Sequence, residues 1–179
     1  MEPVSFRLCS APGREATGTD CSPGGSSSIS GGVGERSREQ LLRQTCEAVV
    51  LGALHPRTAI TLVLQVLSDA GSLLSCCLNA ACMGLLDAGL PLSSLFCGVT
   101  CALDAQGAIV LDPTTRQEQE ARAVLTFAID STERKVLMAT TRGSCSVEEM
   151  QQCLVAAQRA ADTIFQFYRD SARRRYSKS

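Results

Sequence analysis

The chain has 179 residues, the length of one ordinary domain, of which 45% are hydrophobic and 20% charged. These proportions are close to a globular average and exclude a wholly disordered protein. The 17 basic and 18 acidic residues give a net charge of −1, which excludes a strongly basic nucleic-acid-binding protein, and the single histidine, His55, excludes a multi-histidine metal centre within one chain.

The first 36 residues are rich in glycine and serine, most visibly in SPGGSSSIS (Ser22–Ser30). A segment of this composition cannot bury enough apolar surface to offset the entropy lost on ordering it. We therefore predict a disordered tail over residues 1–36, with Cys9 and Cys21 exposed, and a folded domain over residues 37–179.

The first half of the folded part predicts a helix, a strand and a second helix. Apolar residues three and four apart predict a helix over Ser37–Leu54, with Ser37 as its N-cap. The nearly continuous apolar run Thr58–Ser68 predicts a strand that is covered on both faces. Ser72–Asp87 predicts a central helix, because it is apolar nearly all round. That run is shorter than the roughly 20 residues of a membrane span and contains Asn79, so we expect no contact with a membrane.

The second half predicts four strands followed by one long helix. The strands are expected over Leu95–Leu103, Ala108–Leu111, Ala123–Ile129 and Lys135–Thr141. The helix is expected over Val147–Arg173, and Ser146 and Glu149 form a capping box at its start. Its predicted core face holds Met150, Leu154, Ala157, Ala161, Ile164 and Tyr168. Helices packed against a sheet in this order make an α+β sandwich.

The ten cysteines include no C-x-x-C pair, the spacing typical of zinc sites. Those in apolar runs, Cys76, Cys77, Cys82, Cys97 and Cys101, favour buried structural thiols over redox or metal-binding roles. The N-terminus also lacks the basic start and apolar stretch of a secretory signal. We therefore expect a reducing compartment, the cytosol or nucleus, and neither a metal nor another cofactor.

Catalytic constellations are scarce in this sequence. His55 has no second histidine beside it, a Cys–His dyad is improbable, and no glycine-rich loop has Walker or Rossmann spacing. Ser72 allows two interpretations. Spacing favours a residue that caps its own helix, and the alternative is an anion site formed by the free backbone N–H groups of the helix start.

A group of carboxylates follows the predicted strand Ala108–Leu111. Asp112, Glu118 and Glu120 carry the hard oxygen ligands that Mg²⁺ prefers. Arg116 and Arg122 are interleaved with them, however, which favours a solvated, charge-balanced loop. We therefore predict no metal site here.

Several motifs resemble the RNase PH family, namely TCEAVVLGALHPRT (Thr45–Thr58), SDAGSLL (Ser68–Leu74), LLDAGLP (Leu85–Pro91), IVLDPT (Ile109–Thr114) and RGS (Arg142–Ser144). Within that family the likeness is to ring subunits of the eukaryotic RNA exosome. The resemblance implies an α+β, RNase PH-like (ribosomal protein S5 domain 2-like) two-layer sandwich. Because residues 1–35 resemble nothing in the family, we expect the domain to lack its first strands, which would leave the strand at Thr58–Ser68 with an unpaired edge and an exposed apolar face.

The resemblance also implies where chemistry should occur. Active members are phosphorolytic 3′→5′ exoribonucleases, in which a hydroxyl residue and the arginine after it hold phosphate while an aspartate serves as acid or metal ligand. Here Ser72 remains, but Leu73 stands at the arginine position and Val124 at the aspartate position. Leucine cannot bind an anion and valine cannot transfer a proton, so we expect no catalytic residues and no enzyme activity.

A non-catalytic ring subunit would support 3′→5′ RNA processing and degradation, including rRNA processing and mRNA decay. The resemblance implies other RNase PH-like exosome ring subunits and RNA as partners, no small-molecule substrate, and a location in nucleus, nucleolus and cytoplasm. Candidate RNA or partner contacts are Arg57, Arg116, Arg173, Arg174 and Arg175. Each arginine could instead be solvated or ion-paired. Two alternatives stay open: a phosphorolytic exoribonuclease that uses other residues, and a stand-alone RNA-binding module.

Overall fold

The computed structural model describes residues 5–10, 33–54 and 59–177. Within these ranges the chain forms six strands and four α-helices, with a short 3₁₀ turn at Gly52–Leu54. The elements are β1 (Ser5–Ser10), α1 (Val33–Val49), β2 (Thr61–Val66), α2 (Leu73–Asp87), β3 (Phe96–Leu103), β4 (Ile109–Leu111), α3 (Thr115–Glu120), β5 (Ala123–Asp130), β6 (Val136–Gly143) and α4 (Val147–Tyr176).

The centre of the fold is an antiparallel four-stranded sheet in the order β4-β3-β5-β6. Successive side chains of a strand point to opposite faces, and both faces of β3 are covered. On one face the Cys101 thiol donates to the backbone oxygen of Cys153 in α4, and on the other Gly98 lies against α2. Every residue of β3 is therefore buried, as its apolar sequence requires.

A second, two-stranded sheet pairs β1 with β2 in parallel, with Ser5 opposite Thr61 and Ser10 opposite Val66. Helices α1 and α2 contact both sheets, so the helices packed on sheets form the α+β arrangement that the sequence predicts. Along β2 the even-numbered residues pack against the core, whereas Val63 is 57% exposed. The prediction that this strand is covered on both faces is wrong, because among the described residues nothing packs on its outer face.

The prediction of a disordered tail over residues 1–36 is also wrong in part. Ser5–Ser10 forms β1, and α1 begins at Val33. The backbone hydrogen bonds to β2 stabilise β1 despite the polar composition around it, and glycine and serine content does not register such long-range pairing. The expected unpaired edge of the strand at Thr58–Ser68 is likewise corrected on one side, because β2 pairs with β1. Residues 11–32, which contain Cys21, lie outside the described residues.

The helix predictions hold for α2 and α4 and need correction for α1 and α3. Helix α1 ends at Val49, and Ser37 lies inside it instead of capping it. Helix α4 begins with the predicted capping box, in which the Ser146 hydroxyl and the Glu149 carboxylate each accept from the other's backbone N–H. The prediction of a loop at the short helix α3 is wrong, because its six residues are all polar and show no apolar periodicity.

The core face of α4 is shifted slightly from the predicted one. Ala157, Ala161 and Tyr168 are buried as expected, but Cys153 and Phe165 are buried too, while Met150 is exposed. A helix that packs against a twisted sheet turns its buried stripe gradually, so the ideal spacing misplaces its ends.

The eight cysteines whose side chains are described are all free, and six of them are buried (Cys46, Cys77, Cys82, Cys97, Cys101 and Cys153). Burial raises the pKa of Cys101 to about 12 and that of Cys82 to about 11, so these thiols are protonated at neutral pH. Cys76 is exposed, which corrects its assignment to the core. In the described part of the chain no three metal-ligating residues cluster, and no helix is long and apolar enough to cross a membrane.

A part-buried hydrogen-bond cluster joins α2, β3 and α4. Asn79 donates to the Gly98 oxygen (3.1 Å), and its Oδ1 accepts from the Gly98 N–H (2.8 Å) and from the Tyr168 hydroxyl (2.8 Å). The close approach requires glycine at position 98, because a Cβ there would lie 2.8 Å from Ser75 Cα. Asn79 thus fixes α2 and α4 on the sheet.

Candidate functional site

A cavity of about 240 Å³ lies where the start of α2 meets the four-stranded sheet. Its walls include all three residues of the predicted phosphate-site remnant, Ser72, Leu73 and Val124. The further polar residues around it come from α1, α3 and the sheet, and they are Ser37, Arg38, Thr100, Glu118, Thr126, Thr140 and Arg142. The fold therefore brings together residues that are separated by more than one hundred positions in the sequence.

The register of the sheet assembles one wall of this cavity. Thr100, Thr126 and Thr140 are cross-strand neighbours on β3, β5 and β6, and Val124 lies opposite Arg142. Directly opposed residues of antiparallel strands project to the same face, so Val124 and Arg142 both reach the cavity. The hydroxyls of Thr100 and Thr126 are 3.1 Å apart and hydrogen-bonded to each other.

The turn before α2 forms the second wall. Gly71 has φ +115°, a conformation that favours glycine, and a Cβ on it would lie 2.5 Å from the Pro113 oxygen. Ser72 itself is left-handed, with φ 52°, and its hydroxyl donates to the Pro113 oxygen at 3.0 Å. Ser72 is the N-cap residue of α2, as its spacing predicts, but its hydroxyl is directed to the neighbouring loop and makes no bond to the first turn of the helix.

Glu118 of α3 occupies the space in front of the start of α2. Its Oε1 accepts from the backbone N–H of Ser72 at 2.6 Å, and its Oε2 lies 3.6 Å from the Arg142 guanidinium. The expectation of a solvated loop is wrong for Glu118, whose side chain is only 20% exposed, although it describes the surface pair Arg116–Glu120. The prediction used charge balance along the sequence, which gives no information about a partner 46 residues away.

The other predicted contact residues are absent from the lining of this cavity or lie outside the described residues. Arg173, Arg174 and Arg175 end α4 and are exposed, and Arg175 pairs with Asp87 at 3.0 Å. Tyr176 donates to the same carboxylate at 3.3 Å. Arg116 is in a surface ion pair with Glu120, and Arg57 and His55 lie outside the described residues. A role of these arginines in RNA or partner contact stays a prediction.

Sequence reasoning missed Glu118 and Arg142 as members of the site. The one signal for Arg142 was its place in the RGS motif, which gives no position without the strand register. For Glu118 the signal was its spacing from Thr114, whose capping box with Gln117 starts α3 and places the glutamate in the helix's first turn. Neither signal indicates a cavity until the strands and α2 are assembled.

In the comparison with known families, the 3′ exoribonuclease family, domain 1, matches residues 6–91, and domain 2 of the same family matches residues 94–160. The chain belongs to the RNase PH family of 3′ exoribonucleases. The match begins inside β1, so the expectation that residues 1–35 resemble nothing in the family is corrected.

Among similar proteins are exosome components from plants and archaea. The chain is 28% identical over 169 residues to the exosome complex exonuclease RRP46 homolog of Arabidopsis thaliana, covering 84% of this chain and 71% of that protein. It is 32% identical over 138 residues to the exosome complex component Rrp41 of Archaeoglobus fulgidus, covering 75% and 53%. The chain thus spans about half to two thirds of the length of several relatives that it matches.

Two solved structures show the same fold to different extents. The crystal structure of rice Rrp46 superposes with a TM-score of 0.81 at 25% identity, over 94% of this chain and 72% of that one. The Caenorhabditis elegans cell-death-related nuclease 5 gives a TM-score of 0.56 at 28% identity, over 62% and 61%. The RNase PH-like α+β fold and the likeness to exosome components are therefore confirmed.

Proposed function

We propose that this chain is a non-catalytic structural subunit of the RNA exosome ring. In this role it would support 3′→5′ RNA processing and degradation, including rRNA processing and mRNA decay, in nucleus, nucleolus and cytoplasm. Its partners would be other RNase PH-like ring subunits and RNA, with no small-molecule substrate. The likeness to RRP46 and Rrp41 exosome components supports the assignment to the ring.

The observation that carries the non-catalytic part is the composition of the cavity at the start of α2. Phosphorolysis needs cations around an attacking phosphate and an acid for the leaving oxygen. In this chain Leu73 and Val124 line the cavity where the family resemblance places an arginine and an aspartate. Loss of one oriented transition-state group costs on the order of 3 kcal/mol, so loss of both leaves little phosphorolysis.

Assembly is tested by purifying this chain, tagged at its N-terminus, from cells and identifying the proteins that accompany it. We expect the other ring subunits in stoichiometric amounts. The matched control is the Gly98→Val variant, which should prevent α2 from packing on β3 and should therefore recover chaperones instead of ring subunits. Recovery of the same proteins with both chains would show nonspecific capture and would contradict the proposal.

Catalysis is the second candidate function, because two similar proteins carry the word nuclease in their names. An active phosphorolytic enzyme would release nucleoside diphosphates from single-stranded RNA, in proportion to added phosphate. We expect no such release from the purified, folded chain. A steady, phosphate-dependent release would overturn the argument from Leu73 and Val124.

A further inference from the structure

We propose that Ser177, the C-cap residue of α4, is a phosphorylation site for protein kinases that select arginine-rich substrates. This inference does not depend on the proposed function. Arg174 and Arg175 stand three and two residues before Ser177, and no other serine or threonine of the sequence has arginine at both positions. Kinases distinguish substrates by such charge patterns, because carboxylates beside the active site pair with guanidinium groups.

The segment around Ser177 is open to an enzyme. Ser177 is exposed and directly follows the last turn of α4. The three basic residues of that turn, Arg173, Arg174 and Arg175, are exposed as well. The ends of helices fray with little cost in free energy. A kinase therefore has to open only one helical turn to bind this segment.

Asp87, the last residue of α2, holds that turn in its helical form. Its Oδ1 lies 3.0 Å from the Arg175 guanidinium and accepts from the Tyr176 hydroxyl at 3.3 Å. Successive residues of a helix project about 100° apart, so Arg174 and Arg175 leave α4 in different directions. One kinase groove can engage both arginines only after Arg175 has left Asp87. Asp87 thus limits the access of a kinase to Ser177.

The reaction adds negative charge at the end of α4. The Ser177 hydroxyl oxygen attacks the γ-phosphorus of ATP, the bond from that phosphorus to the bridging oxygen breaks, ADP leaves, and the hydroxyl proton passes to a carboxylate of the kinase. The phosphoryl group carries a charge of about −1.5 to −2 at pH 7. It lies at the negative end of the helix dipole, so it weakens the last turn and draws Arg175 away from Asp87.

The site is tested by incubating the full chain with magnesium, ATP and the catalytic subunit of cyclic-AMP-dependent protein kinase, which selects arginine at these two positions. We expect mass spectrometry to find one phosphoryl group, on Ser177. Arg174→Ala should lower kcat/KM for this reaction at least about tenfold, because one charge-assisted pair with the kinase is lost. Arg173→Ala, one position earlier, is the matched control and should change it less than about twofold.

The role of Asp87 is tested by Asp87→Asn, which keeps an oxygen that can accept from Tyr176 but loses the charge. Ser177 should then be phosphorylated roughly two- to fivefold faster, as expected for the loss of one exposed ion pair. Glu120→Gln breaks a different surface pair and should leave the rate unchanged. An unchanged rate in Asp87→Asn would overturn the role of Asp87. Absence of phosphate on Ser177, or equal labelling of Ser171, would overturn the site.

Two further measurements examine the phosphorylated chain itself. The Ser177 N–H donates to the Arg173 oxygen at 2.9 Å, and phosphorylation should make its hydrogen exchange roughly two- to fivefold faster. Unchanged exchange would contradict the weakening of the last turn. The chain purified from cells treated with a serine/threonine phosphatase inhibitor should carry phosphate on Ser177, and the Ser177→Ala chain should lack it. Absence of this phosphate from the unaltered chain would show that the site is not used in cells and would overturn the proposal.

Discussion

Strands β2 and β3 have similarly apolar sequences but very different surroundings. Every residue of β3 is buried between α2 and α4, whereas along β2 Val63 is 57% exposed, and Leu67 just beyond the strand is 84% exposed. The sequence of β2 predicts a strand covered on both faces, yet it is β3 that the structure buries completely. The difference shows that an apolar run reports the capacity of a strand to be buried, while the elements around it decide whether burial occurs.

Helix α2 packs against both strands, closely against β3 and more loosely against β2. Helix α2 lies so close to β3 that Gly98 has no room for a methyl group, yet Gly84 on its other side would meet only Leu62 at 3.6 Å. The buried half of the molecule is therefore closely packed, and the half around β2 is looser. Four substitution and pH experiments test this contrast.

The largest effect is expected for Gly98→Ala. The new Cβ would lie 2.8 Å from Ser75 Cα and 2.9 Å from Leu78 Cβ, so α2 must move away from β3. We expect the free energy of unfolding to fall by about 3 kcal/mol. The matched control is Gly84→Ala, which should be neutral or stabilise by up to about 1 kcal/mol because alanine favours a helix. Urea denaturation measures both, and equal losses would contradict the contrast.

The next effect is expected for Asn79→Ala. This change leaves the N–H and oxygen of Gly98 and the Tyr168 hydroxyl without the side chain that they bond to. We expect the free energy of unfolding to fall by roughly 2 to 4 kcal/mol, because a buried polar group left without a partner costs more than a hydrogen bond contributes. Tyr168→Phe removes one of the three bonds and should cost about 1 kcal/mol. A loss for Asn79→Ala no larger than that for Tyr168→Phe would show that the cluster does not hold the layers together.

The buried thiols predict a loss of stability at alkaline pH. Burial raises the pKa of Cys46, Cys97 and Cys101 from 9.0 to about 12, so the folded chain holds their protons more tightly than the unfolded chain. The stability from each is complete below pH 9 and is lost as the pH rises through 12. Between these two pH values, ionisation of each thiol lowers the free energy of unfolding by up to about 1.4 kcal/mol per pH unit.

Urea denaturation at roughly pH 8, 9, 10 and 11 measures the slope of the free energy of unfolding against pH across this window. Cys101→Ala should lower it by about 1.4 kcal/mol per pH unit, whereas Cys76→Ser, at an exposed position, should leave it unchanged. An identical slope in all three chains would show that the β3 thiols are not held in the closely packed half.

The smallest effect is expected on the outer face of β2. Val63→Ser should change the free energy of unfolding by less than about 0.5 kcal/mol, because the side chain is already largely in water. The same substitution at the buried Val99 of β3 should cost about 3 kcal/mol. A large loss at Val63 would mean that the face is covered in solution and would erase the difference between the two strands.

Much of the fold was predictable from local pattern. The bounds of α2, β3, β5 and the start of α4 depend on hydrophobic periodicity and on the Ser146–Glu149 capping box, which are local signals. Strand β1 was not predictable from composition, because its stabilising partner β2 lies more than fifty residues away. Helix α3 was not predictable from hydrophobic periodicity, because its six residues are all polar.

The sequence by itself determined the family, the central helix α2 and the identity of the residues at three site positions, Ser72, Leu73 and Val124. Only the tertiary structure decided that these residues share one cavity, that the Ser72 hydroxyl bonds to the neighbouring loop instead of its own helix, and that Glu118 accepts from the Ser72 N–H. The physical reason is that a side chain's hydrogen-bond partner depends on strand register and helix docking. Such contacts join residues tens of positions apart, and local periodicity carries no information about them.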